Sequence, residues 1–324
     1  MKRTLIVAAI ATTLAAPAIA TADTKIYGNF RASLTTGDLN GADNSAQVVN
    51  NASRLGLKGA IGNDDLKGIY HLQMGANNDA GGEALSSRFY FAGLKGGFGK
   101  VIYGRLSTPY KMAGVKQDPF YDTSAGTSNG GSNHGYSSLN NSFTNNTIAY
   151  YSPKIGGGVS FNASISIDDA ASDDHDYGIG AEYATKAFKV GVSHLELGDT
   201  PVIALNGGAE SATRIYASAN VGAAATVAAS FESIDFGTAD NAKFSHINGT
   251  FKVSPKVKLA ASLSSVSDGA TGATRNSSSD GAAVGVFYNV LENTTLSAIY
   301  TTVDYDDNSV SDRDGVAFGV VQKF

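Results

Sequence analysis

Runs of about ten residues in which apolar and polar side chains alternate recur along nearly the whole chain, the length of a tilted membrane-crossing strand. In TKIYGNFRASL, Ile26, Gly28, Phe30, Ala32 and Leu34 fall on one face; Lys25, Tyr27, Asn29, Arg31 and Ser33 fall on the other. Period two is strand geometry. NASRLGLKGAI sets Leu55, Leu57, Gly59 and Ile61 against Arg54, Gly56 and Lys58, and LKGIYHLQMGA sets Leu66, Tyr70, Leu72 and Met74 against Lys67, His71 and Gln73. Charged residues make up 16% of the chain, below the usual ~25%. No long apolar run compensates downstream of the first residues, so each strand has one apolar face that needs a partner other than a thick core.

The breaks between runs differ in kind. GNDD, GGFG, SPKIGG, VSPKV and VLEN are short turns, whereas TTGDLNGADNSAQVVN, NNDAGGEA, DDAASDDHD, GDTPVIALNGG, SDGATGATRNSSSD and VDYDDNSVSDRD are long and polar. Strict alternation of short and long connections predicts an up-and-down meander with one plain and one elaborated end. Counting runs gives about sixteen strands. An antiparallel meander of that size has two bare edges unless it closes, and in lipid an open edge is untenable. The expected fold is therefore all-β: a closed antiparallel transmembrane β-barrel, wide enough at sixteen strands to hold an aqueous channel.

One interruption is much longer than the rest. LSSRFYFAGLKG and KVIYGRL flank the GGFG turn, and then residues 107–141 are crowded with Gly, Ser and Asn and show no helical or alternating period before strand character resumes at SFTNNTIAYYSP. A structureless stretch of this length inside a folded domain is usually functional. We expect it to lie inside the barrel and narrow it. Within it, Gly126, Ser128 and Gly130 have the spacing of a nucleophile elbow, without the strand-turn-helix setting that makes such a serine reactive.

At the N-terminus, Lys2 and Arg3 precede an apolar run from Leu5 to Ala16 and then small residues, the layout of a secretory signal peptide over residues 1–22, with cleavage after Ala20 or Ala22 both fitting. That leaves 23–324 as the barrel. Losing the two leading cations moves the formal charge from −5 to −7, which disfavours nucleic acid as a partner. The chain has no cysteine, and its histidines at 71, 134, 175, 194 and 246 lack the pairing of a helical zinc site. GGFGKVIYG misses the dinucleotide pattern because Ile102 stands at the third glycine position. No catalytic residue, cofactor or metal is expected.

The order and spacing of KIYGNFRASL, SRLGLKG, DLKGIYHLQ, SSRFYFAGLKGGFGKVIYGRL, NNTIAYYSP and the closing FGVVQKF resemble the Gram-negative general porins, the trimeric sixteen-stranded family of neisserial and related proteobacterial outer membranes. The resemblance covers essentially the whole chain after residue 22. It implies an outer-membrane location, a homotrimer, a channel for ions and small hydrophilic solutes, and a third loop facing a ladder of basic wall residues. Carried over by position, that ladder includes Arg54 and Arg88, which alternation also points inward. Lys58 shares the face of Arg54, and Arg105 sits where the chain leaves for the long loop, with its facing open because Tyr103 has the same parity. Relatives commonly carry arginines where this chain has Phe143 and Ala149, so their strong anion selectivity is not carried over.

Asp118 and Asp122 in QDPFYD are the acidic candidates on the inserted loop; opposed to the basic wall they would create a transverse field. The carboxylates of IDDAASDDHD and VDYDDNSVSDRD are solvated loop charges, with divalent bridging to lipopolysaccharide as the functional alternative; the second run lacks the glycine and final acid of a calcium loop. Phe324 resembles the terminal aromatic that outer-membrane proteins present to their insertion machinery. A substrate-specific channel, for instance for an oligosaccharide, and a barrel enzyme are the competing readings.

Overall fold

The computed structural model describes residues 21–39, 46–77, 84–126, 135–140, 143–167, 175–198, 209–237, 239–267, 278–307 and 311–324. Residues 1–20 of the signal segment lie outside them, as do residues 127–134 and 141–142 of the long interruption and residues 168–174 and 308–310 of the two acidic runs. In chain order the strands are β1 (Thr21–Gly37), β2 (Gln47–Asn50), β3 (Arg54–Gly62), β4 (Leu66–Ala76), β5 (Leu85–Gly96) and β6 (Gly99–Leu106). After helix α1 (Pro109–Val115) follow β7 (Thr144–Tyr151), β8 (Val159–Ser166), β9 (Asp176–Ala184), β10 (Phe188–Glu196), β11 (Ser211–Val221) and β12 (Ala225–Phe236). The last five are β13 (Ala239–Lys252), β14 (Val257–Ser267), β15 (Ser279–Leu291), β16 (Thr294–Tyr305) and β17 (Arg313–Lys323).

The strands form one antiparallel sheet in which sequence neighbours pair, β2 and β3 excepted, and β1 also pairs β17. β2 and β3 both lie against β1, through Ala32↔Asn50 and Asn29↔Arg54, so they are two halves of one strand interrupted where Ala52 takes φ 62°. The ring is thus a closed sixteen-stranded antiparallel barrel. Its seam is finished by backbone bonds from Gly28 N to Phe324 O (3.0 Å) and from Phe324 N to Gly28 O (3.1 Å). Gly28 belongs there because a Cβ would collide with the Phe324 ring lying on it.

Burial is inverted relative to a soluble sheet. Ile26, Phe30 and Leu34 on β1, Ile247 on β13, Leu259 and Leu263 on β14 and Val284 on β15 are exposed, while polar residues of the opposite parity, such as Ser33, Thr35, Ser230 and Glu232, are buried. Apolar-out and polar-in alternation is the pattern of a lipid-facing barrel. Phe98, Tyr183, Phe188, Phe251, Tyr288 and Phe324 stand exposed beside the short turns and the seam, where an aromatic girdle meets the membrane interface. Among the described residues no helix is long and apolar enough to cross a membrane.

Two expectations need correcting. Connection lengths do not alternate strictly: β12 ends at Phe236 and β13 starts at Ala239, a tight turn on the otherwise elaborated end. The interruption after β6 is also not without regular structure. Thr108 caps α1, its side chain accepting from the Lys111 amide (3.2 Å), and Pro109 opens the helix; a short 3-10 turn follows at Ser138–Asn140. The Thr-Pro pair is a helix-start signal that a search for long periods passes over.

Candidate functional site

The long connection between β6 and β7 is tied to the barrel wall at widely separated places. On one side Glu232 of β12 collects it: the Tyr110 hydroxyl donates at 2.7 Å, the Ser137 amide at 3.1 Å and the Ser137 hydroxyl at 2.8 Å. Arg214 of β11 pairs with the same carboxylate at 2.7 Å and donates to the Tyr110 carbonyl at 2.9 Å, its guanidinium lying 4.5 Å from the Tyr110 ring centre. Arg214 and Glu232 are both buried, so each needs the other and the surrounding donors to offset lost hydration. Tyr110 and Leu139 also pack on Leu195, Ile234 and Phe244. Burial, and after it the Glu232 carboxylate, push the Tyr110 hydroxyl well above its ordinary value.

Residues 117–126 reach other strands. Asn248 of β13 donates to the Gln117 carbonyl at 2.6 Å. Phe120 packs on Ala260, Ala283 and Ile299 of β14 to β16, its ring 6.1 Å from that of Phe287. Asp122 pairs with Arg54 of β3 and, at 3.7 Å, with Arg31 of β1, and its carbonyl accepts from Arg31 at 3.3 Å. Ser124 and Ser33 share a hydrogen bond of 2.6 Å. Burial, then the Asp122 charge, push the Tyr121 hydroxyl up to about 12.

Cations outnumber carboxylates around Asp122. On the same side of β1, β3 and β17 a cavity of about 760 Å³ is lined by Lys25, Arg31, Arg54, Lys58 and Lys323 with Asp122. Arg88 donates to Gln73 Oε1 at 2.9 Å and lies 4.7 Å from the centre of the Phe143 ring. The Lys111 ammonium sits 3.9 Å from the centre of the same ring. Burial, then the nearby Arg88 charge, pull Lys111 down to about 7.

The structure brings Arg54 and Asp122 together, with Arg88 close by. Lys58 lies four residues further along β3, its ammonium 5.1 Å from the Tyr27 ring centre. Arg88 reaches the polar side for a different reason from the one alternation supplies. Tyr90 and Leu94, of its parity, are exposed, but the β4–β5 register shifts between Gln73↔Phe89 and Met74↔Ser87, and this bulge turns Arg88 and Phe89 the same way. Arg105 is tied to the strand end, donating to the Phe143 carbonyl (3.2 Å) and Asn145 Oδ1 (2.8 Å). Asp118 accepts from the Phe120 amide at 2.8 Å, which folds the turn that presents Asp122.

Of the two positions where arginines were expected, Ala149 is buried under Ile102 and Leu106, and Phe143 offers its ring to Arg88 and Lys111. Sequence reasoning missed Arg31, although it lies on the polar face assigned to the first strand, and missed Lys111, Arg214 and Glu232. Nothing local marks the last pair. Asp176 accepts from the Gly198 amide (3.0 Å) and Asp312 from the Tyr305 amide (2.8 Å); among the described residues no acidic or histidine group has the arrangement of a metal site.

A family model described as Gram-negative porin matches residues 5–309. The major outer membrane protein P.IB of Neisseria gonorrhoeae is 28% identical over 202 residues, covering 58% of this chain and 55% of that protein. P.IB of Neisseria meningitidis serogroup B is 35% identical over 125 residues, 35% of this chain and 36% of its own. The chain thus spans about half the length, or less, of these curated relatives. Among solved structures, the anion-selective porin from Comamonas acidovorans superposes with a TM-score of 0.79 at 19% identity, covering 94% of this chain and all of that one. OmpF of Salmonella typhi in complex with daunomycin gives 0.71 at 16% identity, covering 93% and 97%. At these identities the likeness is one of fold.

Proposed function

The chain belongs to the Gram-negative porin family, and from that premise we propose that it forms a water-filled channel through the bacterial outer membrane for passive diffusion of ions and small hydrophilic solutes. The observation that carries the reading is the closed ring of sixteen strands with apolar side chains outside and Arg31, Arg54, Ser33 and Glu232 on the other face. A channel of this kind performs no bond chemistry. Its width and charge decide what crosses.

Residues 107–141 act as the constriction. A single segment that bonds Arg31 and Arg54 at β1 and β3, Glu232 at β12 and Asn248 at β13 spans the interior of the ring. Asp122 on this segment faces Arg31 and Arg54, with Arg88 and Lys111 beyond, which makes a transverse field for dipolar solutes and a moderate preference for anions. Arg105 acts at the mouth and Lys58 in the vestibule beside it. Residues 1–22 are removed on export, leaving 23–324, and Phe324 addresses the chain to the insertion machinery. The working assembly is a homotrimer; OmpT of Vibrio cholerae, solved in a trimer form, has the same fold with a TM-score of 0.69. The acidic loops meet lipopolysaccharide at the cell surface.

Planar-bilayer recording of the refolded protein tests this. Stepwise openings, often in threes, are expected, with a heat-modifiable trimer band on gels. Folded protein that inserts into bilayers and never conducts would refute the proposal.

A further inference from the structure

The polar side of the barrel is not uniformly polar. On β4 to β7, Ile69, Phe89, Phe91 and Tyr151 pack around buried Ile102, Leu106 and Ala149. His71 stacks on Phe89 with ring centres 4.9 Å apart and meets Phe91 edge-on at 5.4 Å; its Nε2 shares a hydrogen bond of 2.6 Å with the Tyr27 hydroxyl, so the ring is held in place. Cations lie among these rings. The Lys100 ammonium is 3.9 Å from the Tyr151 centre and that of Lys58 is 5.1 Å from Tyr27. A wall that only had to guide hydrated ions would gain nothing from this apolar surface, which gives water no partner.

A cavity of about 340 Å³ opens onto this patch, bounded by Lys25, Lys58, Ile69, His71, Phe91 and Lys100, with Asp23 the one carboxylate on its lining. It shares Lys25 and Lys58 with the larger cavity at Arg31 and Arg54. Lys25 and Lys58 are exposed and Phe91, His71 and Ile69 are partly so, so a solute can reach both the charged and the apolar parts. The volume is at the lower end of the range for small-molecule sites. That suits one ring with one charged group.

We propose that this cavity is a binding subsite for small aryl monoanions, such as aromatic sulfonates or carboxylates. The anionic group lies among Lys25, Lys58 and Lys100, and the ring lies against Phe91 and Ile69. The proposal deepens the channel reading and rests on it for its setting. A compact inorganic anion uses only the charges, and a neutral sugar finds few acceptors among ammonium groups and rings; a flat organic anion uses both halves of the site.

The test uses refolded full-length protein and two probes of equal charge, sodium benzenesulfonate and sodium methanesulfonate. Calorimetry on detergent-folded protein is expected to show saturable binding of benzenesulfonate with an affinity at least about tenfold above that of methanesulfonate. In bilayers, benzenesulfonate should reduce the current saturably, read as a fraction of each protein's own current. Phe91→Ala, Phe91→Leu and Lys58→Gln, each first shown to fold by heat-modifiable migration, should narrow the gap between the two probes to about threefold or less. Equal binding of the two sulfonates, or an undiminished gap in all three variants, overturns the subsite. Absence of stepwise conductance before any sulfonate is added refutes the channel reading instead, and calorimetry still decides the subsite.

Discussion

Replacing Asp122 by Asn removes one negative charge from the place where the inserted segment meets Arg31 and Arg54. A permeating ion about 6 Å away in an aqueous pore feels one unit charge as about 0.7 kcal/mol, which a Debye length of ~10 Å at 0.1 M salt reduces to about 0.4 kcal/mol. That is about a factor of two in local occupancy, upward for anions and downward for cations, so the anion-to-cation permeability ratio should rise about fourfold. Arg54→Gln should lower it by about the same factor, and the double variant should return near the starting ratio. The segment should stay in place in all three, because Tyr110, Ser137 and Phe120 hold it at other walls. The measurement is the reversal potential of single channels across a salt gradient at neutral pH. An Asp122→Asn ratio that is unchanged, or that moves in the same direction as that of Arg54→Gln, would refute the assignment of this cluster to the ion path.

Lys111, pulled down to about 7 by burial and Arg88, carries its charge below that pH and loses it above, so anion preference should increase as pH falls from about 8.5 to about 5.5; Lys111→Met should remove this slope, and an identical slope in the variant would discount Lys111. Glu232→Gln breaks the buried pair with Arg214, at a cost of about 3–5 kcal/mol. It should lower the denaturant midpoint of the refolded protein and make the open-channel current noisier, and an unshifted midpoint would count against Glu232 as the anchor. On the outer face, Ile247→Arg should cost about 2–4 kcal/mol of folding free energy in lipid vesicles, whereas Ser262→Arg on the opposite face of β14 should alter conductance and leave folding nearly intact.

Much of the barrel can be read from the chain because a strand with lipid on one side and water on the other writes its two environments into alternate residues. Ile26, Phe30 and Leu34 against Arg31 and Ser33 is that record, and the structure exposes and covers them as the alternation requires. Arg54 is legible for the same reason. Arg88 is not, since its direction depends on a bulge between β4 and β5 that period-two counting cannot see. The helix at 109–115 is visible only through its cap, because seven residues are too few to show a period. The Glu232 anchor is hidden more thoroughly: its hydrogen bond to Tyr110 joins residues 122 positions apart, and a buried carboxylate on an otherwise ordinary strand carries no local mark. The aromatic patch on β4 to β7 was spelled out in RFYF and IAYY, yet alternation alone assigns such residues to the lipid side.

The pairing of β1 with β17 sets a condition on biogenesis. The opening strand waits for a neighbour from the far end of the barrel sequence, so the ring cannot close while β17 is still to be made. A chain that stops short of β17 forms a gutter with unpaired backbone groups along both rims, on β1 and on β16. Closure is therefore all or nothing: with β17 in place the sheet has no open edge, and without it there are two.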